Sequence, residues 1–520
     1  MNGRRTTVAV FATMLLGATF ALGSWYGAAR VRERDEWTDG RLLSTAVDSV
    51  RANALDSLPS EELVRRAVTG MLRELHDPYA ALLRPDSYKR YRGSLHGEGV
   101  GLGLVMRTQA GIVSIARVAE GSPAAHAGVR RGDRVISVNG VPISEGWGRH
   151  STDTSTTPLD TARVLLWRAP KGDTVSVGIR RAEWHVPAVS DAVILADSVG
   201  YVRLNSITSR SADELEHAVV SLQRHGARSL LLDLRGNGGG LFDEGVKAAG
   251  LFLPRNSLIA SLTGRGGVRP EEHRSSTSRF PTLPLTLLVD AGTASAAEVI
   301  AAALREHNRA LLVGTPTYGK GVVQRVVKLT PDISLRLTTA RWLTPLGNAL
   351  ERRQGTGAAA HGGLQPDVLL DDASRGDPLA LPRDWAAPAA LALSRIADSL
   401  SLHALREGWV ITPVAMLEAR LRLNAAQMTP PSPLSEIPRA EWVAVATRIA
   451  TARVLEVTRE TESLLRYSAR TDAALRAGLD VLAPGVDISQ VTPSVMPSIV
   501  PPPARERVVR KGAVRRRAGL

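Results

Sequence analysis

The chain has 520 residues, 44% of them hydrophobic, and no cysteine, so there is room for roughly three or four domains but for neither disulfides nor thiolate metal sites. Its formal charge is +14, nearly all arginine, since lysine occurs only at positions 89, 171, 247, 320, 328 and 511. Nucleic acid is the first partner such a charge suggests, but the arginines are scattered except at the extreme C-terminus, and a face toward anionic lipid or cell-wall polymer fits as well.

Arg4 and Arg5 precede an uncharged run from Thr6 to Ala29. A membrane span needs about 20 apolar residues, so residues 1–29 read as a signal-anchor, with cleavage near Ala28 and Ala29 as the alternative. In either case the positive-inside rule puts the remainder outside the cytoplasm, on the periplasmic or extracellular side of the cell membrane. Arg30, Arg32 and Arg34 weaken that orientation a little, although Glu33, Asp35 and Glu36 accompany them.

Residues 30–92 form a predicted helical region. "LLSTAVDSVRANAL" and "SEELVRRAVTGMLREL" have helical spacing, with Ser60 as the expected N-cap of the second. Between 93 and 183 the character changes to short strands and glycine turns. "GLGLVMR", "IVSIARV", "RVISVNGVPI" and "TVSVGIRR" read as strands, and "TARVLLWRA" reads as a short helix. Residues 184–383 hold alternating strands and helices, the pattern of an α/β layered domain. In it "SLLLDLRGNGGG" is a buried strand ending in a glycine turn, and "LPLTLLVD" is a strand followed by a helix from about Ser295. Residues 384–482 are Ala/Leu-rich and helical, and 483–520 form a Pro-rich basic tail.

Ser295 has two readings. With Glu298 three residues on it has the spacing of a capping box, and it also stands where a nucleophile would sit between strand and helix. Gly314 to Lys320 fits G-x-x-x-x-G-K, but Gly321 replaces the magnesium-binding hydroxyl and a β-branched run follows instead of a helix. Lys320 therefore needs another explanation. A partly buried lysine has its pKa lowered by desolvation, and a neutral amine can act as general base for a serine hydroxyl. Gln324, four residues on, is placed to orient that amine or is simply a polar strand residue. The N–H of Ala296 at the helix start and those of the "DLRGNGGG" turn are candidate oxyanion donors. His217 and His307 leave a Ser-His-Asp triad open on spacing alone. No H-E-x-x-H or clustered His/Asp set suggests a metal, and no cofactor fingerprint is present. "RRR" at 515–517 reads as a solvated tail or as a contact for anionic lipid or an acidic partner.

Taken in order, these stretches resemble the C-terminal processing peptidases, the S41 tail-specific family of serine endopeptidases. The match runs over roughly residues 60–370 through "LHDPYAALL", "GEGVGLGL", "GYVRLNSI", "LLLDLRGNGGG", "TASAAE", "TYGKGVVQ" and "RWLTPLGNAL…GGLQPDV". The resemblance implies a crotonase-like α/β core with an inserted PDZ domain. It makes Ser295 the nucleophile, Lys320 the general base, Gln324 the support of the lysine, and Gly239 and Ala296 the oxyanion donors. Gly238 stands where the family commonly has proline, which predicts a looser turn; Thr293 replaces a usual serine and Ile207 a frequent phenylalanine. The PDZ domain would capture a protein C-terminus as an added strand, its carboxylate at Gly101, Leu102, Gly103 and Leu104. Leu102, Leu104 and Val129 would line the pocket for an apolar last side chain. Partners would be the tails of protein substrates, with an adaptor or a second copy of the chain as further candidates and no nucleic acid. Two other readings stay open: a non-catalytic PDZ scaffold on a protease-like core, and an acyl-CoA enzyme of the crotonase type.

Overall fold

This computed structural model describes residues 40–56, 58–109, 112–143, 161–168, 173–195, 198–266, 270–350, 362–371, 379, 385, 387–409, 413–458 and 461–483. The expected signal-anchor and the Pro-rich tail lie outside them. Among the described residues no helix is long and apolar enough to cross a membrane.

The chain forms two compact units. The first comprises residues up to Pro85 together with Gln324–Thr338. Its helix Ser60–Glu74 has Glu61 and Glu62 in the first turn and Arg73 in the last, the signs that suit the helix dipole. Ser60, expected as the N-cap, is instead the first helical residue. Pro59 holds the cap position, extended and without a side-chain cap bond, because its ring fixes φ and its carbonyl already accepts the Leu63 N–H at 3.1 Å. The short strand Ala81–Leu83 pairs antiparallel with Ser334–Arg336.

The second unit comprises Asp86–Val323 and Thr339–Leu520. Its first part is a sheet in the order Leu104–Gln109, Ile112–Val118, Arg134–Val138, Thr161–Arg168, Asp173–Arg180. Val113, Ile115, Val164, Leu166 and Ile179 make its core. "TARVLLWRA", expected as a short helix, is the strand Thr161–Arg168, paired along its whole length with Asp173–Arg180. Its inward residues Val164 and Leu166 are two apart and buried. That period of two, with a strand on each side, overrides the helix propensity of Leu, Arg and Ala. Glu98–Gly101 pairs antiparallel with Ala182–His185 in a separate two-stranded ribbon.

The central sheet runs Val189–Ile194, Val199–Leu204, Ser229–Asp233, Leu285–Val289, Leu311–Gly314, Val368–Leu369. Only its first pair is antiparallel. Every residue of Ser229–Asp233 and of Leu285–Val289 is buried, as parallel strands covered on both faces require. Alternate residues serve opposite faces. Leu230, Leu232, Leu285 and Leu287 pack with the helices Ser211–Arg224, Phe242–Gly250 and Ala296–Glu306. Leu231, Leu288 and Val313 pack with Ala474, Leu475, Ala477 and Val481 of the helix Ala473–Val481.

The last helix of the C-terminal extension thus covers one face of the core sheet. The rest of the extension has its own core, built by Leu393 and Leu400 of helix Ala387–Arg406, Leu421 of helix Val414–Gln427, and Trp442 and Ile449 of helix Arg439–Val457. It also holds the small β domain. Arg107 and Arg131 reach Glu456 at 3.3 and 3.2 Å, and Arg134 pairs with Asp398, which Arg453 also contacts.

Candidate active site

Six residues, Asp290 to Ser295, separate the strand Leu285–Val289 from the helix Ala296–Glu306. Between them Ser295 adopts φ 57° and ψ −122°. A positive φ at a residue with a β-carbon costs on the order of 1–3 kcal/mol and persists only where the surroundings impose it. Here a buried carboxylate imposes it. Glu298 Oε2 accepts the Ser295 N–H at 2.8 Å, and Glu298 is fully buried. Ala296 and Gly245 set how closely this helix packs: a β-carbon at Gly245 would lie 2.9 Å from the Ala296 carbonyl oxygen.

The same carboxylate organises the lysine segment. Glu298 Oε2 also accepts the Lys320 N–H at 2.9 Å, while Oε1 accepts the Gly319 N–H at 2.7 Å and the Thr317 hydroxyl at 2.6 Å. The backbone nitrogens of Ser295 and Lys320 therefore share one oxygen atom. From the other side the buried Trp342 indole N–H donates to the Lys320 carbonyl at 2.9 Å. Both Ser295 and Lys320 are half-buried. Gln324 begins the segment belonging to the other unit; its Nε2 is buried, with no hydrogen-bond partner among the described residues.

The glycine turn is tied to the serine loop by three groups. Asp290 Oδ1 accepts the Gly236 and Gly292 N–H groups at 2.8 and 2.9 Å. The buried Thr293 hydroxyl donates to the Leu234 carbonyl at 3.0 Å. The Ala294 N–H donates to the Asn237 carbonyl at 2.9 Å. The result is close apposition: a β-carbon at Gly239 would lie 2.6 Å from the Ala294 carbonyl oxygen, 2.8 Å from the Ala296 nitrogen and 2.8 Å from Ser295 Cβ. Gly239 and Ala296 are brought together beside Ser295. The Gly239 N–H, however, donates to Asn237 Oδ1 at 2.9 Å. Asn237 is itself fully buried and anchored by Nδ2 on the Leu204 carbonyl.

Two neighbouring glycines should respond in opposite ways. Gly239 has φ +87° and faces backbone atoms within 2.8 Å, so Gly239→Ala should lower stability by about 1–3 kcal/mol. Among the described residues nothing lies within 4 Å of a β-carbon built at Gly238, and its φ is not positive. Gly238→Ala should instead stabilise by about 0.4–1 kcal/mol, because it restricts the unfolded chain. Thermal melts of the two variants check both signs.

In the small β domain Leu102 and Leu104 pack on the cluster that contains the buried Val129. The Leu102 and Gly103 carbonyls accept the N–H groups of Ala124 and Ala119, each at 2.9 Å. Gly103 has φ +74° and lies against Ser122. Gly101 stands apart, paired with Ala182 in the separate two-stranded ribbon. Leu104–Gln109 is an edge strand of its sheet.

Sequence reasoning limited Glu298 to helix capping and missed Asn237. The signal for Glu298 was half present as the capping-box spacing. Its other partners lie 19 to 22 residues further on, beyond any local pattern.

Comparison with known proteins gives the same outline. Residues 198–370 match the family model described as peptidase family S41, and residues 114–181 match a PDZ domain. The chain is 31% identical over 313 residues to a probable CtpA-like serine protease of Staphylococcus aureus, covering 60% of this chain and 61% of that relative. The match thus spans less than two thirds of the staphylococcal protein. It is 30% identical over 395 residues to a carboxyl-terminal-processing protease of Synechocystis sp., covering 69% of this chain and 86% of that one. Among solved structures, the photosystem II D1 C-terminal processing protease is 29% identical, with a TM-score of 0.39 over 62% of this chain and 86% of that one. With 86% of the cyanobacterial relative covered at this identity, the chain belongs to peptidase family S41 and carries a PDZ domain.

Proposed function

We propose that the protein is a serine endopeptidase with a Ser295–Lys320 dyad on a crotonase-like core, acting on the C-terminal tails of proteins. The observation that carries this reading is the Glu298 carboxylate, which accepts the N–H of Ser295 and of Lys320 on one oxygen atom. It joins a strained serine to a lysine 25 positions away in the chain, which helix capping alone does not require.

In this reading the neutral Lys320 amine takes the Ser295 hydroxyl proton as Oγ attacks the scissile carbonyl. The oxyanion that forms meets the Ala296 N–H at the helix start, where the dipole favours negative charge. The Gly239 N–H is the second donor and exchanges Asn237 Oδ1 for the oxyanion. Collapse expels the amine, which receives its proton from the Lys320 ammonium. Water then hydrolyses the acyl-enzyme by the same path. Gln324 would orient the amine. The N-terminal segment would anchor the chain, with the catalytic part outside the cytoplasm.

The PDZ domain would supply the choice of substrate. A tail would add as a strand to the edge strand Leu104–Gln109, its carboxylate on the Leu102–Leu104 loop and its last side chain against Leu102, Leu104 and Val129. The test uses one peptide sequence with an apolar last residue, free or amidated at the C-terminus. Amidation should raise KM about tenfold or more, since a charged acceptor is lost. Equal KM values for the two forms would remove the PDZ domain from substrate selection.

A further inference from the structure

The glycine turn poses a physical problem. Residues 236–240 read Gly-Asn-Gly-Gly-Gly, so Asn237 is the only side chain of their own, and glycine backbone loses the most freedom on ordering. The turn is therefore held by its neighbours: the serine loop on one side, through Asp290 and Ala294, and Arg235 at its entrance.

Arg235 is buried and held on several sides. Its N–H and Nε donate to Asp233 Oδ1 at 2.9 and 3.0 Å, and Nη2 donates to Asp233 Oδ2 at 2.8 Å. Tyr201 donates to the same Oδ2 at 2.8 Å. Nη1 donates at 2.8 Å to Asp472 Oδ1, 237 residues on in the C-terminal extension. Asp472 is also buried and caps the helix Ala473–Val481, accepting the Leu475 N–H at 2.9 Å. Burial alone would pull the guanidinium down, but Asp233 and Asp472 raise it above its ordinary value.

We propose that Asp472 is a positioning residue for the oxyanion turn: by holding Arg235 it fixes the start of Gly236–Gly239, so the extension completes the catalytic site. This rests on the peptidase reading above. Asp472 has a second role as a cap: its Oδ1 accepts both the Arg235 Nη1–H and the Leu475 N–H, and a shorter side chain separates the two. Serine caps as well as aspartate does but is too short to span to Arg235. Asp472→Ser therefore keeps the cap and removes the contact, whereas Val481→Ala loosens the same helix on the sheet and keeps the contact.

The experiment compares full-length wild type, Asp472→Ser, Asp472→Asn, Val481→Ala and Ser295→Ala by peptidase kinetics and by hydrogen exchange over residues 235–240. Asp472→Ser should lower kcat roughly tenfold or more with KM little changed, as expected of a small misplacement of an oxyanion donor. The turn amides should exchange faster in the same variant. Asp472→Asn, which keeps shape and cap but loses the charge, should shift both readouts the same way by less, and stands in if the serine variant does not fold. Val481→Ala should lower Tm while leaving kcat and turn exchange as in wild type. Wild-type turn exchange in Asp472→Ser, or equal changes in Val481→Ala, would overturn the assignment. If Ser295→Ala cleaves as fast as wild type, the peptidase reading fails by itself, and exchange in the turn still decides the role of Asp472.

Discussion

Glu298→Ala is expected to lower the stability of the protein by about 3–4 kcal/mol and to abolish the proposed peptidase activity. The fully buried carboxylate accepts from the Ser295, Gly319 and Lys320 N–H groups and from the Thr317 hydroxyl. Without it these donors are left in a water-poor site, and each unsatisfied one costs about 1–3 kcal/mol. Relaxation and entering water reduce the sum. The effect on activity should exceed the effect on folding, because Ser295 loses the bond that holds its positive φ and Lys320 loses the bond that brings its segment to the serine. Glu298→Gln should fall between wild type and alanine, since an amide has one acceptor oxygen and its NH₂ faces donors. Urea unfolding gives the first quantity and peptide cleavage below the midpoint gives the second. Full activity in Glu298→Gln would reduce this residue to an ordinary cap.

The second large effect is expected at Lys320. Lys320→Ala should lower kcat at least about a hundredfold and up to about 10⁴-fold, the range for loss of a general base. Lys320→Arg should not rescue it, because a guanidinium does not give up its proton at accessible pH. The backbone bonds from Lys320 to Glu298 and from Trp342 do not involve the side chain, so both variants should fold with near-wild-type melts. Restored activity in the arginine variant would assign Lys320 an electrostatic role in place of proton transfer. Ser295→Ala and Lys320→Ala combined should be no slower than either alone, since a nucleophile and its base act as one unit.

How far the sequence led depends on the range of each interaction. The order of strands and helices around the site was legible because parallel strands buried on both faces are continuous apolar runs, as in Leu285–Val289. The proposal that Ser295 works with Lys320 came from the failed phosphate loop and the resemblance it prompted; the shared Glu298 oxygen that ties their backbones carried no local signal. Two features were not. The Gly239 N–H has a partner two residues away in Asn237, and a turn of mostly glycine carries no pattern that reveals which way its amides point. The contact of Asp472 with Arg235 joins residues 237 apart, and Asp472 reads as a helix cap by itself. Thr161–Arg168 shows the converse. Its composition suits a helix, and only the neighbouring strands make its period of two decisive.

The most direct measurement is cleavage of a peptide with a free apolar C-terminus by full-length wild type, Ser295→Ala and Lys320→Ala, followed by mass spectrometry of the products. Internal cleavage by wild type, lost in both variants while their melts stay close to that of wild type, is the predicted result. Products of the same masses formed at the same rate by either variant, or no cleavage by folded wild type that still binds the peptide, would contradict a Ser295–Lys320 peptidase.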